Sequence, residues 1–281
     1  MRKKMCLLLL TGLLSSAFVL TACNNNVNVN TPGAAEDKAT KAETTEDTQE
    51  AIEKVIVGKW ITAEIDGQPA PTDKKTVFDI VSNTRVFSSV SHTYDTAPWV
   101  NRNEGRVDIS GNTFTITKIP YEGERIVHEF TISNINTEEF TANRKLTITH
   151  KDKEPIVKEN VVTFAKVYDD YNSDIIGTWE GHCTSKGSVF DDGQDHRWEY
   201  KKDGTFVYYV KNGDTWVPSN NTLNEYYVAG NLLCTCWMEG DIENREWWEI
   251  SIDGNKMNWT ALREGEDGKT FTATFKMKKV Q

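Results

Sequence analysis

The stretch "KVIVGKWIT" (Lys54–Thr62) returns as "SDIIGTWEG" (Ser173–Gly181), and the likeness continues downstream. Gly58 matches Gly177, Trp60 matches Trp179, and Phe87 matches Phe206. "SGN" at Ser110 matches "AGN" at Ala229, and "FTANR" at Phe140 matches "WTALR" at Trp259. Every pair stands 119 residues apart. So many matches at one offset mark a tandem duplication, so one architecture must serve two sequences. The units span residues 55–168 and 174–281, with the polar, turn-rich "YDDYNSD" (Tyr168–Asp174) between them.

Each unit reads as all-β. Apolar residues alternate over short runs, as at Phe114 and Ile116, at Ile126, His128, Phe130 and Ile132, and at Phe271, Ala273, Phe275 and Met277. Turn signals separate the runs: "DGQ" at Asp66, "SGN" at Ser110, "DGT" at Asp203, "NGD" at Asn212, "DGN" at Asp253 and "EDGK" at Glu266. The pattern predicts about eight short antiparallel strands per unit. A small up-and-down barrel suits that number because closure removes the sheet edges. A β-sandwich is the alternative.

Arg2, Lys3 and Lys4 precede an apolar run, "CLLLLTGLLSSAFVL" (Cys6–Leu20), too short for an ordinary membrane span. It leads into "LTAC" (Leu20–Cys23), which resembles the lipobox of bacterial lipoproteins: an aliphatic residue, two small residues, then cysteine. The resemblance implies a signal peptide over residues 1–22, lipid attachment at Cys23, and a chain anchored to the membrane by lipid rather than spanning it. The cell envelope is the expected location. Asn24 onward carries no acidic export tag, which favours the outer membrane facing the periplasm, with surface exposure as the alternative. Residues 23–54 read as a flexible tether, reaching roughly 30 Å, because nothing from Asn24 to Lys54 is aromatic. A short helix at "DTQEAIEKVI" (Asp47–Ile56) is the competing reading of its end.

Glycine-x-tryptophan opening a strand-only unit resembles the lipocalin and calycin barrels, and more closely the lipocalin-like domains of bacterial lipoproteins. The second unit also resembles the latter in "KKDGTFVYY" (Lys201–Tyr209) and "FTATFKMKKV" (Phe271–Val280). The first unit departs where Asn83-Thr84-Arg85 replaces Asp203-Gly204-Thr205. The resemblance implies that Trp60 and Trp179 plug one end of each barrel. It further implies a late-strand arginine over each plug, for which Arg144 and Arg263 are the candidates. It supplies no catalytic residues.

Seven of the nine tryptophans lie in the second unit. A barrel filling itself more naturally uses Val, Ile and Leu, so two readings stand: an aromatic-packed core, or a wall that stacks on a small apolar or glycan ligand. The candidate ligand-binding residues are Trp198, Tyr208, Trp237, Trp248 and Trp259. The adjacent pairs Trp247-Trp248, Tyr208-Tyr209 and Tyr226-Tyr227 must put one ring on each face of their strands, so some rings face outward toward a partner or the other unit.

A net charge of -10 makes nucleic acid a poor partner. No nucleophile elbow, zinc-protease helix or phosphate loop is present, and the five histidines are scattered, so neither an enzyme nor a cofactor is expected. The plentiful carboxylates supply glycosidase-like pairs by chance. His182-Cys183 with "CTC" (Cys234–Cys236) offers nominal metal ligands, but His182 and Cys183 point to opposite faces of a strand, so no metal site is expected. In an oxidising compartment Cys183 could bond to Cys234 or Cys236, which share a face and do not suit each other. "DDGQD" (Asp191–Asp195) lacks the full calcium-loop pattern and reads as a solvated turn. The sequence thus predicts a lipid-anchored binding protein whose second barrel holds a small ligand. The alternative is a scaffold with solid barrels that works through an envelope protein partner.

Overall fold

The computed structural model describes residues 45–83, 86–92, 103–119, 122–265 and 267–280. The expected signal peptide, Cys23 and most of the expected tether lie outside the described residues.

The described residues are all-β, with one α-helix, α1 (Thr45–Val55), and one short 3-10 turn (Thr72–Lys74). The first sheet comprises β1 (Gly58–Ile65), β2 (Gln68–Pro69), β3 (Val77–Asn83), β4 (Val86–His92), β5 (Asn103–Ser110), β6 (Thr113–Lys118), β7 (Glu124–Ile135), β8 (Glu139–His150) and β9 (Ile156–Val167). The second comprises β10 (Gly177–Cys183), β11 (Asp195–Tyr200), β12 (Phe206–Asn212), β13 (Thr215–Pro218), β14 (Thr222–Ala229), β15 (Leu232–Glu239), β16 (Ile242–Asp253), β17 (Lys256–Glu264) and β18 (Thr270–Val280). All pairings are antiparallel, and the turn signals fall where strands reverse, as at Asp66 and Gly67, which both take positive φ between β1 and β2.

The two sheets close differently. In the first, β1 pairs with β3 on one side and β9 on the other, so eight strands form a continuous barrel and β2 extends the β1 hairpin. The second runs β13-β12-β11-β10-β18-β17-β16-β15-β14 and curls until its ends meet at one bridge, Thr205 with Glu225. The Tyr226 amide adds a hydrogen bond to the Gly204 carbonyl at 2.8 Å.

The end of the stretch read as tether belongs to the first barrel's core. Ile52 and Ile56 are fully buried among Trp60, Phe114 and Phe140. Their spacing, with Val55, gives α1 one apolar face, while Glu50 and Lys54 pair at 2.8 Å on its exposed side. Burial of that face, rather than propensity, holds so short a helix.

Both glycine-x-tryptophan motifs are built alike. Trp60 and Trp179 are fully buried. Their Nε1 atoms donate to the carbonyls four residues earlier, Ile56 at 2.6 Å and Ile175 at 2.7 Å. The cations over these rings are lysines from the last strand of each sheet, which corrects the expectation of Arg144 and Arg263. Lys166 Nζ lies 4.2 Å from the Trp60 ring centre, and Lys279 Nζ 5.0 Å from that of Trp179. Arg144 instead donates to Asn160 Oδ1 at 2.9 Å, and Arg263 lies over Trp248. The glycines make room for the lysines: a Cβ on Gly58 would stand 2.9 Å from Lys166 Cε, and one on Gly177 2.6 Å from Lys279 Cε.

Both sheets belong to one compact unit and share a small core of their own. Ile61 and Val77 of the first sheet pack against Ala229, Leu232, Cys234 and Trp247 of the second. Lys75 Nζ lies 2.9 Å from Glu249 Oε1, and the Leu262 amide donates to Thr72 Oγ1 at 2.9 Å.

Candidate functional site

Strand alternation builds the inner wall of the second sheet. Cross-strand pairs set Trp198 beside Tyr208, Leu233 beside Trp248, and Ile250 beside Trp259. Each adjacent aromatic pair splits as alternation requires: Trp248 and Tyr226 enter the barrel core, while Trp247 and Tyr227 turn outward into the contact with the first sheet.

The five candidate ligand-binding residues all join one cluster. Trp198 lies 4.8 Å from Trp259 and 5.3 Å from Tyr208, and Trp248 lies 5.4 Å from Trp259, between ring centres. Phe275 adds an edge-on contact to Trp248 at 5.4 Å. Trp237 packs against the same cluster. Trp248 and Trp259 are buried, whereas Trp198, Tyr208 and Trp237 keep part of their surface exposed.

Polar groups that the aromatic count did not reveal stand among these rings. Glu246 shares the inner face with Trp248, and its Oε2 accepts the Trp248 Nε1 hydrogen at 3.1 Å. Burial pushes this carboxyl's pKa up, against the Arg263 guanidinium, the Trp248 hydrogen bond and His196, which favour the charged form. Arg263 donates to the Trp247 carbonyl at 2.7 Å and covers the Trp248 ring at 5.0 Å. The Tyr208 hydroxyl meets His196 Nδ1 at 2.8 Å, and His196 Nε2 meets Asp192 Oδ1 at 3.1 Å. Burial, with Asp192 and Glu246 adding to it, pushes the Tyr208 phenol up to about 12, so it is protonated at neutral pH. The Tyr200 hydroxyl and Trp259 Nε1 are buried without a hydrogen-bond partner. The wall therefore offers ring faces, two unmatched donors and one partly buried carboxylate.

The cysteines stand apart. Cys183 packs against the inner core with its Sγ 3.6 Å from Ser188 Oγ, whereas Cys234 lies in the outward contact with the first sheet. All three are free, and the opposite faces rule out the Cys183–Cys234 pairing. His182 turns to Asp195 at 3.6 Å, and among the described residues no three His, Cys, Asp or Glu side chains converge on a metal position. In "DDGQD", the Asp191 carboxylate accepts from the Gly187 amide and that of Asp192 from the Gln194 amide, both at 3.0 Å, as in a turn.

No family model and no curated protein matches the chain. Among solved structures it is similar to a DUF3598-family protein of unknown function from Nostoc punctiforme, at 8% identity and a TM-score of 0.25, over 83% of this chain and 99% of that one. So distant a likeness supports no functional inference.

Proposed function

We propose that this chain is a non-catalytic, lipid-anchored binding protein of a bacterial cell envelope whose second barrel takes a small apolar or glycan ligand. The observation that carries the binding part is the convergence of Trp198, Tyr208, Trp248 and Trp259 on one inner wall beside the unpartnered Tyr200 hydroxyl and Trp259 Nε1. Leaving such buried donors unmatched costs about 1–3 kcal/mol each, and an occupant with acceptors offsets that cost. On this reading the ligand enters at the seam between β12 and β14, where one bridge, Thr205 with Glu225, joins the sheet ends. "LTAC" carries the anchoring part.

Intrinsic fluorescence tests the reading, because the tryptophans concentrate in this barrel. Titration with fatty acids, haem and envelope glycans should change emission saturably with at least one of them. No response across the panel refutes ligand binding.

A second reading, a scaffold with solid barrels, is favoured by the burial of Trp248 and Trp259 at 1% and 2% exposure. Under it a pull-down from envelope extract retains a protein partner, and no small molecule co-purifies.

A further inference from the structure

The two barrels share an architecture but not a filling. The first packs its interior with phenylalanine, Phe114 on Phe130 at 4.6 Å and Phe140 on Phe164 at 4.9 Å between ring centres. The second places Trp259 at the position matched to Phe140, 119 residues on, and sets Trp198, Trp248 and Tyr208 around it. Phenylalanine suffices to fill such a barrel, so packing alone does not call for indole and phenol. Indole and phenol differ from a phenyl ring in giving up one electron more readily, and each carries an N–H or O–H whose proton then leaves.

These rings form one unbroken path. Tyr208 touches Trp198, Trp198 touches Trp259 and Trp259 touches Trp248, with centres 5.3, 4.8 and 5.4 Å apart. The path leads from the buried Trp248 and Trp259 to Trp198 and Tyr208, which are partly exposed. Each end gives its hydrogen to a base. Trp248 Nε1 donates to Glu246 Oε2 at 3.1 Å. At the other end Asp192 Oδ1 lies 3.1 Å from His196 Nε2 and takes the imidazole N–H. That leaves Nδ1 as the acceptor for the Tyr208 hydroxyl, 2.8 Å away. The Trp198 and Phe275 rings pack against His196 at 5.5 and 5.8 Å and hold its plane. Tyr200 is buried in the same cluster, yet its hydroxyl has no such base.

We propose that the second barrel is a relay for oxidising equivalents, which carries an electron hole from its buried indoles to Tyr208, where His196 takes the phenolic proton. A one-electron radical oxidant, X•, takes an electron from the indole path and leaves as the anion X−. The hole rests on Trp248, whose N–H proton moves to Glu246. Tyr208 then supplies an electron through Trp198 and Trp259. Glu246 returns the proton to Trp248, and the Tyr208 proton moves to His196 Nδ1. The net change is one electron from Tyr208 to X•, giving a neutral tyrosyl radical, an imidazolium and X−. Asp192 stabilises the imidazolium, as a carboxylate on the far ring nitrogen does elsewhere. The hole stops at Tyr208 rather than Tyr200 because a buried phenol that loses an electron and keeps its proton is an uncompensated charge. The relay needs no ligand in this barrel, so a silent fluorescence titration leaves it standing.

Pulse radiolysis of the full chain with the azidyl radical tests this, because that radical oxidises tryptophan in preference to tyrosine and leaves as azide. Tryptophanyl absorption should decay in a first-order step, at a rate independent of protein concentration, with a matching rise of neutral tyrosyl absorption. Tyr208→Phe should abolish most of that rise, and Tyr200→Phe should leave it unchanged. Trp198→Phe breaks the path, and His196→Gln keeps a hydrogen-bond acceptor but removes the base. Each should slow the rise at least tenfold. Should these variants fail to fold, the wild type still decides the matter, because a nitroso spin trap added after oxidation, followed by peptide mapping, must place its adduct on Tyr208. A rise that depends on protein concentration, survives intact in Tyr208→Phe or keeps its rate in His196→Gln or Trp198→Phe would overturn the proposal. So would loss of the rise in Tyr200→Phe, or an adduct on another tyrosine.

Discussion

Lys75 of the first sheet and Glu249 of the second face each other at 2.9 Å across the core that joins the two barrels, their side chains 11% and 26% exposed. Water screens so sheltered a pair poorly, and Val77 and Trp247 belong to the apolar cluster of the same junction. A tandem duplication alone would allow each unit to unfold without the other. This junction predicts a single cooperative transition in calorimetry instead. Trp247→Ala removes a fully buried ring from it and should cost about 3–5 kcal/mol. It should also split the melt into two transitions. One transition in the variant, or two in the wild type, contradicts the coupling.

The plug predicts a dependence between two positions that are far apart in sequence. Gly177 has φ 128°, which side-chain-bearing residues rarely adopt, and a Cβ there meets Lys279. Gly177→Ala should therefore cost about 1–3 kcal/mol from the backbone, plus the displacement of the lysine. In a Lys279→Ala background the second part disappears, so urea melts should show a smaller penalty for the same glycine substitution. Equal penalties in both backgrounds would mean that the glycine serves the backbone alone. Trp60→Ala and Trp179→Ala should each cost about 3–5 kcal/mol.

The two lysines also show where sequence reading stopped. Trp60 pairs with Lys166, and Trp179 with Lys279, at equivalent ladder positions. Yet 279 less 166 is 113, so a comparison at the fixed offset of 119 passes over them and lands on Arg144 and Arg263. Strand alternation was legible: it correctly separates Trp247 from Trp248, and applied to "NREWWEI" it also puts Glu246 inside. Aromatic content alone does not mark Glu246, because a count of rings carries no information about the other positions on their face. The helix Thr45–Val55 was ambiguous, because its sequence suits a solvated stretch and only burial of Ile52 and Ile56 makes it structural. Nothing local in the sequence tells an outward ring whether solvent or a second barrel will cover it, so the junction at Trp247 emerges only from the tertiary structure.

The proposed anchoring rests on one side chain, the Cys23 thiol. Cys23→Ser removes the acceptor for lipid while leaving the remaining leader unchanged. The wild type should partition with membranes after fractionation and label with a clickable fatty acid. The variant should lose the label and run larger, with its leader uncleaved. A variant that still labels would place the lipid elsewhere, and an unlabelled wild type would remove the anchor from the proposed function.

His128 makes stability depend on pH with a definite sign. Burial holds its pKa well below the usual histidine value, and the Lys118 and Arg144 charges push the same way. The other titratable groups on the inner face of β6–β9 are the Glu124–His150 pair, Lys158 and Lys166. In the folded chain the imidazole stays neutral, while in the unfolded chain it takes a proton near pH 6.5. Below that pH the unfolded state binds the extra proton, so stability falls as pH falls, by about 1.4 kcal/mol per unit until the folded pKa is reached. Above pH 7 this contribution is complete and flat. Carboxylates also titrate in acid, so the measurement is a difference: urea stability of the wild type less that of His128→Phe, a ring of similar shape that suits Phe78 and Phe130. Between pH 7 and pH 5 that difference should move against the wild type, by at most about 2 kcal/mol. A difference independent of pH would mean that His128 is protonated in the fold, or that the barrel opens to admit water before the imidazole charges.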